Sequence, residues 1–212
     1  MEVYFSPLAC SMASRIALYE AKTPARYIEV DPKTKRTLEG DDFYAVNPLG
    51  LVPAIRTDDG EVLTENAAVL QYIAEGVPDG SLAPSGGMAR ARMQQWLCFI
   101  GTELHKALFI PLFDPKMPAD AKTHALEKGD SRLDYLNGYL EGREFLLDSF
   151  SIADAYLFTV LNWNVATPVD LKRWPAVEAY YTRLKQRPSI AQSLSEEFEL
   201  YKAELARHKA AA

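Results

Sequence analysis

The sequence predicts two domains, an α/β domain at the N-terminus and an all-helical domain after it. Strand-like segments occur only before residue 81, a stretch rich in Pro and Gly follows at 81–87, and the rest has helical spacing. The 212 residues with 48% hydrophobic content are enough for one large or two small domains. We predict an N-terminal domain over 1–80 and a helical domain over 87–212.

The predicted N-terminal domain begins with a strand, a helix and a second strand. Runs of apolar, β-branched and aromatic residues predict the strands at 1–5 and 26–30. Between them, an apolar face at near-helical spacing predicts a helix over 11–21, and Pro24 closes this segment.

A β-hairpin and a second helix complete this domain. The hairpin strands, 52–55 and 62–64, flank an Asp-Gly turn that ends at Gly60. Helical spacing resumes at Asn66, a residue type suited to the N-cap, and Pro78 ends the pattern.

The second domain is predicted to consist of helices whose ends are marked mainly by proline. The sequence Ser151-Ile152-Ala153-Asp154 is a capping-box pattern before a strongly apolar run, which indicates a role in folding rather than catalysis. The predicted helices are 88–108, 119–141, 152–165, 176–186 and 189–209.

Charge and composition narrow the classes of partner. The net charge of −6 gives no support for a nucleic-acid partner. The N-terminus lacks the pattern of a signal peptide, and no run approaches about 18 uninterrupted apolar residues, so we predict a cytoplasmic protein without a membrane partner. Cys10 and Cys98 lie far apart and are predicted to be free thiols, and no spacing of His and Cys resembles a metal site.

Cys10 is the first candidate for chemistry. It follows a strand and a Ser-Pro turn and lies just before a helix that we expect to begin near Ser11. Free N–H groups and the helix dipole favour an anion there, and so the thiolate. The alternative is a small buried hydrophobic residue. Since the sequence has no Cys-x-x-Cys motif, a mixed disulfide at Cys10 must be resolved by another molecule.

Two further sets of polar residues are candidates. Backbone N–H groups and the Asn66 amide at a helix start would bind a carboxylate, and Glu65 would accept from an ammonium group, so a zwitterionic ligand fits both. The alternative is N-capping by Asn66 with a solvated Glu65. His105 is offset from the apolar stripe of its helix and could face a cleft, although a lone histidine is more often structural.

The order and spacing of these motifs resemble the glutathione transferase family over essentially the whole chain. The runs 9–11, 102–106 and 151–158 resemble the bacterial beta class in particular. The motifs that carry the resemblance are the strand-turn-Cys10-helix start, Asn47-Pro48 to Val52-Pro53, Leu63-Thr64-Glu65-Asn66 and Ser151-Ile152-Ala153-Asp154.

This resemblance implies a thioredoxin-like N-terminal domain joined to an all-helical domain, a homodimer, and glutathione as co-substrate without a metal. Cys10 would pair with the glutathione sulfur and Ser11 would donate to either sulfur. Lys35 and Glu65-Asn66 would hold the polar ends of the tripeptide. The catalytic residues are then Cys10, His105 and Ser11. The glutathione-binding residues are Cys10, Lys35, Val52, Pro53, Glu65, Asn66, Cys98, Thr102, Glu103, Leu104 and His105.

Some of these roles are specific. The resemblance implies that Val52 pairs with the tripeptide backbone before a cis Pro53, and that His105 hydrogen-bonds near the sulfur. Cys98 stands where beta-class members often carry Asn, so packing or a second redox thiol are its alternatives.

The implied activity is that of an enzyme, a glutathione transferase that joins the glutathione thiol to hydrophobic electrophiles in detoxification. Thiol transfer through a mixed disulfide between Cys10 and glutathione is expected beside it. A glutathione-dependent reductive dehalogenase and a non-catalytic carrier of hydrophobic ligands are the alternatives. Side chains that would shape the second-substrate site are Phe109, Leu112, Phe113, Tyr156 and Trp163, and the alternative for each is a place in the core.

Overall fold

The computed structural model describes residues 1–210 and divides them into two compact units. Unit 1 combines Met1–Leu82 with the C-terminal helix, and unit 2 is Ala83–Arg187. Unit 1 contains β1 (Glu2–Phe5), α1 (Met12–Glu20), β2 (Arg26–Glu29), β3 (Ala54–Arg56), β4 (Val62–Thr64), α2 (Asn66–Glu75) and α8 (Pro188–Ala210). Unit 2 contains α3 (Gly87–Phe99), a π-helical segment (Ile100–Phe109), α4 (Ile110–Phe113), α5 (Ala119–Leu140), α6 (Ile152–Leu161) and α7 (Pro175–Lys185).

The sheet of unit 1 is mixed, with the strand order β2-β1-β3-β4. β1 is parallel to β2 and antiparallel to β3, which is in turn antiparallel to β4. The β-α-β start needs a crossover, which α1 supplies, whereas the hairpin needs only its Asp-Gly turn. The predicted thioredoxin-like domain followed by helices is confirmed.

Both faces of this sheet are covered. Tyr4 packs on the ring of Phe43, with 5.5 Å between ring centroids, in a cluster that also contains Val30 and Ala54. On the opposite face Phe5 lies under the guanidinium of Arg15 from α1. Successive side chains along a strand therefore point alternately into two buried layers. The connecting turns lie at the ends of the strands.

The C-terminal helix packs in unit 1, whereas the predicted domain boundary grouped it with the other helices. Its buried residues are mostly polar, including Ser193 and Glu197, both 0% exposed. They meet α1, where Arg15 pairs with Glu197. Apolar periodicity predicts that this helix exists. It does not predict which elements the helix packs against, because the buried face of the helix is polar.

The first helical stretch of unit 2 runs further than predicted. Pro111 does not end it, because the backbone continues through the π-helical segment to Phe113, with Pro111 in the first turn of α4. A missing N–H is tolerated in the first turn. The capping box at the start of α6 is confirmed: the Ser151 side chain accepts from Ala153 N–H, and Asp154 accepts from Ser151 N–H.

The stretch Gly87–Phe113 is the one helix in residues 1–210 that is long and apolar enough to cross a membrane, judged by length and composition alone. Core helices of soluble proteins meet the same criteria. Within unit 2 this stretch packs against α5 and α6, and Leu97, Leu104 and Leu108 are buried. We assign it to the core of that unit.

Candidate functional site

Three segments of unit 1 meet at Cys10. This residue lies in the turn between β1 and α1, and its side chain is half-buried rather than sealed in the core. Its Sγ donates to the Val52 carbonyl over 3.2 Å, and its own carbonyl accepts from Asn66 Nδ2 over 3.2 Å. The thiol is thus held at the start of a helix, where an anion is favoured, and it remains accessible.

The Ser11 hydroxyl hydrogen-bonds within the turn that carries Cys10. Its Oγ donates to the Ser6 carbonyl over 3.2 Å and accepts from Ser6 N–H over 3.3 Å. The residue is 1% exposed. Ser11 therefore closes the turn that carries Cys10, and its hydrogen bond to a sulfur stays a prediction.

The peptide bond between Val52 and Pro53 is cis, as the resemblance implied. The loop before it is fixed by Asn47, whose Nδ2 donates to the Leu51 carbonyl over 2.7 Å and whose Oδ1 accepts from Leu49 N–H. Val52 therefore presents its carbonyl to Cys10 from an ordered turn.

The start of α2 differs from the prediction in its capping. Glu65 is the N-cap residue and its side chain makes no capping hydrogen bond, while Asn66 is the first helical residue and is 7% exposed. Asn66 Nδ2 is used in the contact with Cys10, and its Oδ1 is buried without a hydrogen-bond partner among residues 1–210. Glu65 is exposed at a helix N-terminus, beside N–H groups suited to a carboxylate.

Two of the predicted glutathione-binding residues have strained backbone conformations. Among residues 1–210, four residues other than glycine have positive φ, and Lys35 (57°) and Glu65 (67°) are two of them. Leu8, at 58°, is a third and lies two residues before Cys10. Such conformations cost about 1–3 kcal/mol each and persist where the surroundings hold them, commonly at functional sites. The strain supports a site built on these turns.

A buried ion pair lies behind the Cys10 turn and was not predicted. Glu197 is 0% exposed, its Oε1 accepts from Arg15 Nε over 2.9 Å, and its Oε2 accepts from Leu8 N–H over 2.7 Å. Burial raises the pKa of Glu197 to about 7, against the opposing effect of Arg15. A charged residue on the buried side of α8 leaves no signal in the sequence, since most glutamates are solvated.

His105 belongs to the π-helical segment of unit 2 and is 6% exposed. Its Nδ1 is 2.8 Å from the Tyr156 hydroxyl, and its ring contacts Trp163 edge to face. Burial, and then the charge of Lys106, lowers the pKa of His105 to about 4. His105 is therefore a neutral imidazole near pH 7, whose hydrogen bond to Tyr156 orients the ring.

The remaining predicted residues of unit 2 lie in different environments. Thr102 is exposed on its helix and donates to the Cys98 carbonyl over 3.0 Å, and the Cys98 side chain is exposed. Glu103 pairs with Arg132 over 2.9 Å. Leu104 is 0% exposed, so its side chain belongs to the core of unit 2. Among residues 1–210, no group of three or more His, Cys, Asp or Glu side chains could hold a metal ion.

Two protein-family models match the chain. The glutathione S-transferase N-terminal domain matches residues 9–75 and the corresponding C-terminal domain matches residues 96–188. The glutathione S-transferase GstA of Escherichia coli O157:H7 is 41% identical over 199 residues, which cover 93% of this chain and 98% of that protein.

Solved structures give the same result. A bacterial beta class glutathione S-transferase from Sphingomonas chungbukensis has a TM-score of 0.88 and 43% identity, over 93% of this chain and 98% of that one. A sphingomonad glutathione S-transferase complexed with glutathione has a TM-score of 0.89 and 41% identity, with the same coverage. The turn around Cys10, the fold and these comparisons together show that the chain belongs to the glutathione S-transferase family, in its bacterial beta class.

Proposed function

We propose that unit 1 binds glutathione with the tripeptide's sulfur beside Cys10. The observation that carries this proposal is the accessible thiol at the start of α1, hydrogen-bonded to Val52 O at the cis Pro53 turn. Glutathione as the ligand is supported by the related sphingomonad enzyme, which is 41% identical and was solved with glutathione.

The polar ends of glutathione match Lys35 and Glu65, the two predicted glutathione-binding residues with positive φ. Glu65 would accept from the γ-glutamyl ammonium group, and N–H groups at the start of α2 would bind the adjacent carboxylate. Lys35 would then bind the carboxylate of the glycine end. The backbone of Val52 would hydrogen-bond with the backbone of the central residue of glutathione. Pro53 would keep the Val52 backbone turned outward, toward the ligand.

The proposed chemistry is attack of the glutathione thiolate on an electrophile, with the thiol proton released to solvent and the leaving group, where there is one, released from the electrophile. Two thiolates side by side repel each other, so Cys10 and glutathione do not ionise together. This favours a second reaction, in which the Cys10 thiolate attacks one sulfur of oxidised glutathione. The S–S bond breaks, a mixed disulfide forms at Cys10, and one reduced glutathione leaves.

The setting we propose is a soluble, cytoplasmic homodimer that acts in detoxification. Val62 and Tyr72, which are 40% and 44% exposed, offer apolar surface for self-association. We propose His105, Thr102 and Glu103 as the contribution of unit 2 to substrate handling, because His105 is held neutral and oriented.

The proposal predicts glutathione-dependent consumption of small electrophiles. The wild type and Cys98→Ala should convert part of an electrophile panel at a rate that saturates with glutathione, and Cys10→Ala should still bind glutathione in calorimetry. Cys98→Ala is the matched control, since it removes the other thiol. Electrophile binding that is independent of glutathione, without turnover, would instead identify a carrier.

Glu65→Gly should separate ligand binding from stability. Glycine adopts positive φ without steric cost, so the variant should unfold at the same or a higher temperature than the wild type. Loss of a charge-assisted hydrogen bond of about 1.5–3 kcal/mol should weaken glutathione binding at least about tenfold. Calorimetry and thermal unfolding measure the two effects, and Glu61→Gly, at an exposed position in the hairpin turn, is the control. Unchanged affinity would remove Glu65 from the site.

A further inference from the structure

The last turn of α8 contacts the segment that follows β2. The Arg207 guanidinium pairs with the Glu29 carboxylate, and His208 Nε2 lies 2.7 Å from Asp31 Oδ2. The side chains of His208 and Asp31 are each 15% exposed. All four residues belong to unit 1, and the contact joins residues 177 positions apart in the chain.

Asp31 organises the turn that follows it. Its Oδ1 accepts from Lys33 N–H over 2.8 Å and from Thr34 N–H over 2.9 Å, and its backbone carbonyl accepts from Lys35 N–H over 3.0 Å. Burial opposes ionisation of this carboxyl group, but the Thr34 N–H, His208 and the Lys33 N–H together lower its pKa to about 2. One carboxylate oxygen of Asp31 therefore accepts the hydrogen bonds of the turn, and the other contacts His208 on α8.

This turn determines where the Lys35 side chain points. Lys35 has positive φ, and its carbonyl accepts from Phe43 N–H over 3.0 Å, so its backbone is held on both sides. Its Cδ lies beside Gly50, 3.3 Å from the position that a Cβ would occupy there. The side chain thus runs along the loop that leads to Val52.

We propose that His208 is a positioning residue for glutathione, acting through Asp31 to fix the turn from which Lys35 binds the glycine carboxylate. This inference rests on the proposed function. His208 donates through Nε2–H to Asp31 Oδ2 and does not touch the ligand, whereas the ammonium group of Lys35 does.

The charges around the contact make His208 difficult to replace. Glu29, Asp31 and Glu204 supply three carboxyl groups to this corner, and Arg207 and His208 supply the basic groups. Glu204 is 6% exposed, and burial raises its pKa. Without His208 the Asp31 carboxylate loses its partner on α8, and repulsion from its acidic neighbours favours a shift of the turn toward solvent.

The test measures glutathione affinity by calorimetry in full-length variants, with glutathione and with an analogue whose glycine carboxylate is amidated. His208→Ala should raise the Kd for glutathione about threefold to tenfold, as expected for loss of alignment of one charged contact, and should leave the Kd for the analogue unchanged. Saturating kcat should not change. His208→Gln, which keeps an N–H donor near the position of Nε2, should restore most of the affinity. Asp31→Asn should reproduce the loss.

Arg207→Ala is the control, because it removes the neighbouring charge pair on the same turn of α8 and leaves the hydrogen bonds of Asp31 in place. Equal losses in Arg207→Ala and His208→Ala, or equal losses for glutathione and its amide, would show general loosening of α8 and overturn the inference. An unchanged Kd in both His208→Ala and Asp31→Asn would also overturn it. Wild-type protein that fails to bind glutathione would overturn the proposed function itself, whereas the variant outcomes concern only the role of His208.

Discussion

Asp154→Ala should lower the free energy of unfolding by about 4 kcal/mol or more, since several buried donors each lose a partner at about 1–3 kcal/mol. The carboxylate is 0% exposed. Its Oδ1 accepts from Leu146 N–H and from the Tyr180 hydroxyl, both over 2.8 Å, and its Oδ2 accepts from Ser151 N–H over 2.9 Å. Urea unfolding followed by fluorescence and circular dichroism measures the change.

Asp130→Ala is the matched control for this experiment. Asp130 forms two hydrogen bonds with Arg173 at the surface of the same unit, and both side chains are more than a third exposed. Removing it should cost less than about 1 kcal/mol, because water replaces the lost partner. Similar losses in the two variants would contradict the assignment of Asp154 as the centre of a buried network.

Glu197→Ala is the second large effect, with an expected loss of about 3–5 kcal/mol because one partner of a buried ion pair is removed. The Arg15 side chain is 6% exposed and would keep Glu196, at 3.2 Å, as an acidic partner. Leu8 N–H would also lose its acceptor next to the Cys10 turn. We therefore expect slower reaction of Cys10 with oxidised glutathione in addition to lower stability.

Glu196→Ala tests whether the burial of Glu197 is the reason for the large loss of stability expected in Glu197→Ala. Glu196 contacts the same guanidinium but its side chain is 40% exposed, so its removal should cost less than about 1 kcal/mol. Equal destabilisation by the two alanine variants, or a Glu197→Ala protein as stable and as reactive as the wild type, would contradict the proposed anchoring of the Cys10 turn.

Local patterns in the sequence are sufficient to predict most of the architecture. Runs of apolar, β-branched and aromatic residues predict β1 and β2, the Asp-Gly turn at Gly60 predicts the hairpin, and the Ser151 to Asp154 motif predicts the start of α6. Each of these signals depends on residues close together in the chain. The placement of Cys10 at a helix start is of the same kind, and so it too was predictable.

Contacts between distant segments were not predictable in this way. Ser11 and Asn66 are polar residues at helix starts, and their partners depend on which turns the tertiary fold places beside them. The buried pair of Arg15 and Glu197 joins residues 182 positions apart. A hydropathy pattern treats both as surface residues, because charged side chains are rarely buried unless they are paired.

We propose that Cys10 is the thiol that meets glutathione, and intact mass after incubation with oxidised glutathione tests this claim. The wild type and Cys98→Ala should each gain one glutathionyl group at Cys10, which a reductant removes. Cys10→Ala should gain none, while it still binds reduced glutathione. A glutathionyl adduct in Cys10→Ala equal to that of the wild type would contradict the claim and assign the reaction to Cys98.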